Sequence, residues 1–361
     1  MFRDTIFFKL GKHGKTAGNW FMRIGILCPS EIAYRRFLPA LEQVDDMILA
    51  GVGVNSPYER YGEAFPEKEE ITRMLERERR KADQMISGYG GRLFDSYESV
   101  VSSPDLDAVY IPLPPALHYK WAKRALECGK HVLVEKPSTI TYEDSKSLVG
   151  IASGKELALH ENYMFIFHDQ LDAIEDIVSS GEIGDVRIYR ISFGFPMRSA
   201  NDFRYNQSLG GGALIDAGGY TLKYAARLLG DTAKLRYAQL NYTDEFEVDL
   251  YGSAALANEA GVTAQIAFGM DNDYRCELEV WGSKGTLKTG RVLTAPAGYV
   301  PTMTLKKNTD VEERPLPADD AFRKSIEHFM KCMTDQVTRE ENYRSILKQA
   351  QLVSRFYEMA K

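Results

Sequence analysis

Apolar and polar positions along the chain follow two successive patterns. Up to about residue 160, short apolar runs alternate with stretches of helical period. Residues 23–27 and 47–54 are β-rich runs, and residues 31–42 between them set Ile32, Phe37, Leu38 and Leu41 on one helix face. The charged stretch 66–81 suits an exposed helix with i,i+4 charge pairs. Residues 97–102 lead into 105–115, a strand closed by a proline-rigid loop, and 118–128 reads as the next helix. Residues 130–137 then form a short buried strand that Pro137 stops. This alternation predicts a parallel, doubly wound sheet.

Beyond residue 170 the pattern changes. A helix over 170–180 ends at Gly181, and strict apolar/polar alternation follows in 186–195, 235–242, 248–257, 261–270 and 277–281. Such runs predict long strands of a mostly antiparallel sheet with one buried face. Helical period returns in 320–334 and 341–359. The expected fold class is therefore α/β, a Rossmann-type doubly wound parallel sheet, plus an α+β domain with a large open, mostly antiparallel sheet. The expected bounds are 22–160 for the dinucleotide-binding domain, 161–340 for the substrate and oligomerisation domain, and 341–361 for a C-terminal helix. Residues 1–21 differ from the rest, with basic residues around a short apolar patch and no signal-peptide core, and read as an extension ahead of Met22.

Composition narrows the classes. The chain has 361 residues, 44% of them hydrophobic, enough for two cores. A net charge of −6 gives no long-range pull toward nucleic acid or acidic lipid. No apolar run approaches the roughly 20 residues that span a membrane. Cys28, Cys128, Cys276 and Cys332 are scattered, which suits reduced thiols in a cytoplasmic protein and gives no metal-ligand spacing. His160 and His168 do not supply one either.

Candidate chemistry begins at Glu135-Lys136-Pro137. Open α/β sheets bind ligands at the carboxyl ends of their strands, which is where Lys136 falls; the alternative is a surface lysine closing a strand. The wider context resembles the Gfo/Idh/MocA family, which includes glucose–fructose oxidoreductase and inositol dehydrogenase. The matching landmarks are Asp107-Ala-Val-Tyr-Ile-Pro112, Gly129-Lys-His-Val-Leu-Val-Glu-Lys-Pro137, Gly184-Asp-Val-Arg187 and Gly210-Gly-Gly-Ala-Leu-Ile-Asp-Ala-Gly-Gly-Tyr220. Gly261-Val-Thr-Ala-Gln265 and Trp281-Gly-Ser-Lys-Gly285 follow in the family's order.

The resemblance implies NAD(P)-dependent hydride transfer at a hydroxyl- or ketone-bearing carbon of a sugar or cyclitol. It places the family's catalytic lysine on Lys136 and its second catalytic position on Tyr220. Tyrosine there resembles glucose–fructose oxidoreductase and dihydrodiol dehydrogenase, whereas inositol dehydrogenase-like members carry histidine. The residue types suit the chemistry. Alcohol–ketone interconversion needs a proton donor or acceptor at the oxygen. A tyrosine with a pKa near 10 is a poor base unless a nearby lysine lowers that value. Lys136 is expected to do so, and Asp216 to orient Tyr220 or hold a substrate hydroxyl. The alternative makes Tyr220 a core residue and Asp216 a helix cap. Asn162 and Tyr163 are candidates for contact with nicotinamide or sugar, while Met164, Phe165, Phe167 and His168 read as structural. Arg204 is a candidate for a substrate phosphate or carboxylate, with a surface salt bridge as the other reading.

The dinucleotide loop departs from the family pattern. Where the fingerprint reads Gly-x-Gly-x-x-Gly/Ala, this chain has Cys28, Ser30 and Ala33, with Pro29 removing one N–H. Ser30 can cap the following helix, so Cys28, Pro29, Ser30, Glu31 and Ile32 are expected to form a shifted but usable phosphate site. No acidic residue follows the second strand to bind a ribose hydroxyl. Asn55 and Ser56, with Arg60 as charge partner and Glu59 as a complication, tilt the expectation toward NADP over NAD. Pro112, Leu113, His118, Glu135 and Lys136 complete the candidate cofactor contacts, and Pro115 stands where many members carry asparagine.

Residues 281–301, with Arg291 and Thr294-Ala-Pro-Ala-Gly298, are similar to sugar-nucleotide 3-ketoreductases. A nucleotide-linked sugar is accordingly the expected substrate. The alternatives are a free-sugar or trans-dihydrodiol dehydrogenase, or a non-catalytic binding protein with a degenerate cofactor loop. No nucleic-acid or membrane partner is expected. The open sheet is expected to pair copies of the chain into a dimer or tetramer.

Overall fold

The computed structural model describes residues 21–61 and 68–360. Residues 1–20, nearly all of the expected extension, lie outside the described residues, as do the side chain of Arg60 and the start of the charged stretch 66–81.

Two sheets organise the described residues. The first contains β1 (Met22–Ile26), β2 (Met47–Gly53), β3 (Arg92–Phe94), β4 (Ala108–Ile111), β5 (His131–Glu135) and β6 (Leu159–Asn162). Their order is β3-β2-β1-β4-β5-β6, and every pairing is parallel. Helices cover both faces of such a sheet, so its central strands can be apolar throughout; β4 is buried along its whole length. The order reverses between β1 and β4, and the loops leaving those strands diverge into a crevice at their carboxyl ends. Residues 97–101, expected only as a lead into β4, form a helix that Ser96 opens with a capping box.

The second sheet contains β7 (Val186–Gly194), β8 (Lys234–Thr243), β9 (Phe246–Ala257), β10 (Thr263–Gly269), β11 (Arg275–Gly282), β12 (Thr286–Gly290), β13 (Thr302–Lys307) and β14 (Asp310–Pro315). Their order is β14-β13-β12-β11-β7-β10-β9-β8, with β7 and β10 parallel and the other neighbours antiparallel. Alternation sorts the faces: Cys276, Leu278 and Val280 of β11 are buried, whereas Glu277 and Trp281 are exposed. Helices Asp169–Ser179 and Gly219–Leu229 cover the buried face, sending Leu171, Ile174, Leu222 and Tyr224 into one core with it. The meander β12–β14 extends this sheet beyond the strands that alternation announces.

The last two helices return to the first sheet. Ala321–Thr334, expected within 161–340, buries Phe322, Ile326, Phe329 and Cys332 in the core beneath β1 and β2. Gln336–Met359 sends Tyr343 and Ile346 into the opposite side of that sheet, and Leu352, Val353 and Phe356 into the core of the second. Each large apolar side chain so buried contributes about 1.5–3 kcal/mol. Among the described residues no helix is long and apolar enough to cross a membrane.

Candidate active site

Lys136 leaves the end of β5 at the crevice. Its ammonium donates to Asp216 Oδ1 at 2.6 Å and to the Asp216 carbonyl at 2.9 Å. The other Asp216 oxygen accepts from Arg204 Nε at 2.6 Å, and Arg204 Nη1 reaches Asp202 at 3.0 Å. Four charges thus alternate in sign across the crevice, all largely shielded from solvent. Burial works to raise the Asp216 pKa, but Lys136 and Arg204 outweigh it and hold the carboxyl far below the usual carboxylate range. Arg204 is therefore committed to internal carboxylates, in a partly buried chain rather than a surface salt bridge. It does not stand as a free fork for a substrate phosphate or carboxylate.

Asp216 and Tyr220 ride on the helix that the 210–219 glycines open. Gly210 and Gly212 have φ of 79° and 125°, and a Cβ on Gly212 would stand 2.6 Å from Asp249 Oδ1. That close approach lets Asp249, from β9, accept the Leu214 N–H at 2.7 Å and cap the helix start. Burial of Asp249 pushes its pKa up to about 6, against the opposing effect of the Leu214 and Ala213 N–H groups. Leu214–Gly218 is a π-helical turn. Asp216 lies within this turn and Tyr220 in the α-helix that continues it. Asp216 faces Lys136 and Arg204, while the Tyr220 ring packs on Tyr163, Phe165 and Phe193 at 5.3, 5.5 and 5.3 Å. Asp216 thus orients the lysine, not the tyrosine, and the helix cap is Asp249.

Lys136 Nζ lies 4.9 Å from the centre of the Tyr220 ring, against its face. The expected lowering of the Tyr220 pKa is not found. Burial, helped by the charges of Glu135 and Asp216, pushes the phenol well above its ordinary value. The lysine charge is already matched by Asp216. That upward direction favours the protonated phenol, the form in which a tyrosine can donate a proton.

Three polar candidates turn inward. Asn162, 1% exposed, donates to Glu135 Oε1 at 2.7 Å and accepts from Ser325 at 2.8 Å. Tyr163, 2% exposed, accepts from Gln349 at 3.3 Å and forms the wall behind Tyr220. Neither faces a substrate, because each has its partners within the protein. His118 is fully buried, its nitrogens 2.7 Å from the Pro137 and Leu113 carbonyls, so it ties two loops together rather than touching a cofactor. Burial, opposed by those two carbonyls, lowers its pKa to about 4. Glu135 Oε1 also accepts from Tyr110 at 2.7 Å, which fixes the carboxylate beside Lys136.

The remaining candidates line the first-sheet wall. Ser30 folds back on Cys28 through its N–H (2.8 Å), and its hydroxyl accepts from Ala33 N–H at 3.2 Å, capping the helix after β1. A helix start leaves its first N–H groups, here those of Glu31 and Ile32, without intrahelical partners and suited to an anion; Pro29, just before it, is buried. Asn55, at the end of β2, is 8% exposed and its Oδ1 has no hydrogen-bond partner. That orphaned acceptor fits a ribose hydroxyl. Glu59 is tied to backbone, its carboxylate accepting the N–H groups of Ser56, Tyr97 and Glu98 at 2.7–3.0 Å, so the Ser56 N–H is already committed. Pro112 and Leu113 follow β4 across the switch point. These residues fit a dinucleotide. No group of three or more His, Cys, Asp and Glu among the described residues could hold a metal ion.

Sequence reasoning missed Asp249, Phe193 and the buried pair Glu161–Lys223. Glu161 accepts the Ser138 N–H at 2.8 Å and faces Lys223 at 3.7 Å, joining the Lys136 loop to the Tyr220 helix. A carboxylate and a lysine one helical turn past Tyr220 were visible; their pairing across 62 positions was not.

Two family models match the chain. An oxidoreductase-family model with an NAD-binding Rossmann fold matches residues 47–163, and the GFO/IDH/MocA C-terminal domain matches 171–288. The dTDP-3,4-didehydro-2,6-dideoxy-alpha-D-glucose 3-reductase of Streptomyces violaceoruber is 38% identical over 341 residues, covering 92% of this chain and 93% of its own. The Saccharopolyspora spinosa protein of the same name is 34% identical over 338 residues, covering 92% and 95%. A 3-ketoreductase from Actinomadura kijaniata, solved with NADP and TDP-benzene, superposes with a TM-score of 0.83 at 33% identity, over 94% of this chain and 98% of that one.

Proposed function

The chain belongs to the GFO/IDH/MocA family of NAD(P)-dependent oxidoreductases, and from that membership we propose that it reduces a ketone on a nucleotide-linked sugar, with NADPH as cofactor and Tyr220 as proton donor. The observation that carries this reading is the buried Tyr220 ring against Lys136, whose ammonium the Asp216–Arg204 pair holds in place. The relatives named as dTDP-sugar 3-reductases support the substrate class. So does the Actinomadura kijaniata enzyme, solved with NADP and TDP-benzene, whose lysine and tyrosine variants alter two positions spaced as Lys136 and Tyr220 are here. The NADP in that enzyme's structure supports NADP as the cofactor of this chain.

When bound, NADPH supplies a hydride for the carbonyl carbon. Cys28–Ile32 would hold its pyrophosphate, Asn55 and Ser56 its adenosine ribose, and the Pro112–Leu113 and Glu135–Lys136 loops its nicotinamide half. As charge gathers on the carbonyl oxygen, Tyr220 Oη gives up its proton, and the ketone becomes a secondary alcohol. Lys136 has three N–H donors. Two are committed to Asp216, which leaves one for the oxygen or for the tyrosinate that forms. Because Asp216 fixes the ammonium beforehand, it stabilises that charge without reorganising.

The open face of the second sheet supports pairing of two copies. Tyr237, Tyr251 and Trp281 are 52%, 43% and 51% exposed there, around the small residues Ser192, Ser253, Ala255 and Ala267. Monomeric mass by light scattering would end that part of the reading.

The test is NADPH consumption with dTDP-3,4-didehydro-2,6-dideoxy-alpha-D-glucose against the same sugar without nucleotide. Turnover of the linked sugar, lost in Tyr220→Phe with NADPH binding retained, is expected. Turnover of only free sugars or dihydrodiols would reject the nucleotide-linked substrate. A folded protein that binds neither NADPH nor NADH would be a non-catalytic member.

A further inference from the structure

We infer that Arg198 and Arg291 grip the diphosphate of the substrate, an assignment that rests on the nucleotide-sugar reading above. Phe193 of β7, whose ring touches Tyr220, stands opposite Cys276 of β11, and Gly194 stands opposite Arg275. Just beyond that pairing, the Phe195 ring packs on Phe193 at 5.9 Å, and Tyr274 precedes Arg275 on the other strand. The Phe195 and Tyr274 rings each carry a guanidinium. Arg198 lies 5.3 Å from the centre of Phe195, and Arg291 lies 4.6 Å from that of Tyr274. Arg291 Nη1 also donates to the Tyr274 hydroxyl at 2.8 Å. Thr294 Oγ1, 3.3 Å from that hydroxyl and 3.4 Å from Cys276 Sγ, links the pair back to the wall around Tyr220.

Charge distinguishes these two arginines from their neighbours. Arg204 and Arg275 have carboxylate partners, whereas neither Arg198 nor Arg291 forms an ion pair among the described residues. Asp271 and Asp273, on the turn before Tyr274, pair with neither. Both guanidinium groups are exposed, and the aromatic ring beneath each one sets its plane while leaving donors free. Arg291 also holds a left-handed backbone, φ 56°, which costs a non-glycine residue energy and recurs where a side chain must be aimed. Its carbonyl is anchored by Gln170 Nε2 at 3.4 Å.

The spacing suits the substrate. Two residues along a strand advance about 7 Å. A hexose whose ketone meets Tyr220 beside Phe193 therefore presents its anomeric phosphate one such step outward, at Phe195 and Tyr274. Two planar forks there match the two phosphates of a nucleoside diphosphate.

The experiment is calorimetric titration of dTDP and of thymidine into the NADPH-loaded protein. Arg198→Ala and Arg291→Ala should each weaken dTDP by about tenfold to a hundredfold, the double variant by more, and the lysine variants by less. Thymidine and NADPH binding, and the melting temperature, should stay at wild-type values. A double variant that binds dTDP as wild type does would overturn the assignment and leave the nucleotide-sugar reading intact. Wild-type protein that binds no dTDP, yet reduces a free keto sugar, would overturn both.

Discussion

The two walls of the crevice prepare for charge in different ways. After β1 and β2 of the first sheet, the groups left to a ligand are the unpaired N–H groups of a helix start that Ser30 caps, and the Asn55 acceptor. Across the crevice, Lys136 from the end of β5 meets Asp216, Arg204 and Asp202 from the facing wall in a chain of alternating charge. Backbone donors survive a change of side chain, which is how Cys28 and Ser30 can occupy positions where the fingerprint has glycine. A chain of buried charges cannot be edited one member at a time, because each deletion strands a partner away from water.

That contrast predicts unequal sensitivity. Tyr220→Phe should lower kcat by about 10²–10⁴-fold with little change in the NADPH dissociation constant; a loss of cofactor binding instead would place the residue on the other wall. Asp216→Asn leaves Lys136 and Arg204 facing a neutral amide. Unfolding in denaturant should show a loss of about 3 kcal/mol, the lower end for breaking a buried pair because these groups retain some solvent contact, together with a fall in kcat. The Asp216 pKa is lowered on folding, so its contribution is present at neutral pH and is lost only as pH falls below the ordinary carboxylate range. The acid arm of the stability curve should therefore flatten in Asp216→Asn. Reduction should keep its proton donor as pH rises toward 10, since the Tyr220 pKa is raised. A basic limb well below 10 that vanishes in Tyr220→Phe would restore the lysine-activated tyrosinate. The smallest effect is expected from Ser30→Ala: loss of about 0.5–2 kcal/mol of helix capping, with NADPH affinity changed only a few-fold.

Legibility in the sequence followed the type of signal. The apolar runs of β1, β2, β4 and β5 and the alternation of β7 to β11 were plain, because burial on two faces or one imposes those periods. The meander β12–β14 was not. It buries only Leu287, Thr289, Met303 and Leu305 among threonines, lysines and glutamates, and β14 has no buried position at all. At the site, the ordered motifs brought out Lys136, Asp216 and Tyr220, and the structure gathers all three. What stayed hidden was direction. A polar residue that satisfies another buried polar residue has the same letter as one that meets a ligand, so Asn162, Tyr163 and His118 read as contacts and proved to be internal ties. Glu59 read as an obstacle and proved to be an anchor for three backbone N–H groups. The π-turn at Leu214–Gly218, which contains Asp216, follows from no residue pattern in the 210–220 run.

The return of the chain's last two helices has a consequence for recombination. Phe329 belongs to the core of the cofactor half, and Tyr343 donates its hydroxyl proton to the Leu157 carbonyl in the same half. Gln349, two turns further along, holds Gly219 and Tyr163 behind the tyrosine that serves the substrate half. A gene fusion that cuts once, near residue 160, would therefore graft one parent's tail onto the other parent's cofactor core. Hybrids of this fold with altered cofactor use call for a two-point crossover, in which everything from about residue 320 to 346 travels with the amino-terminal half and the following turns keep their register with both parents.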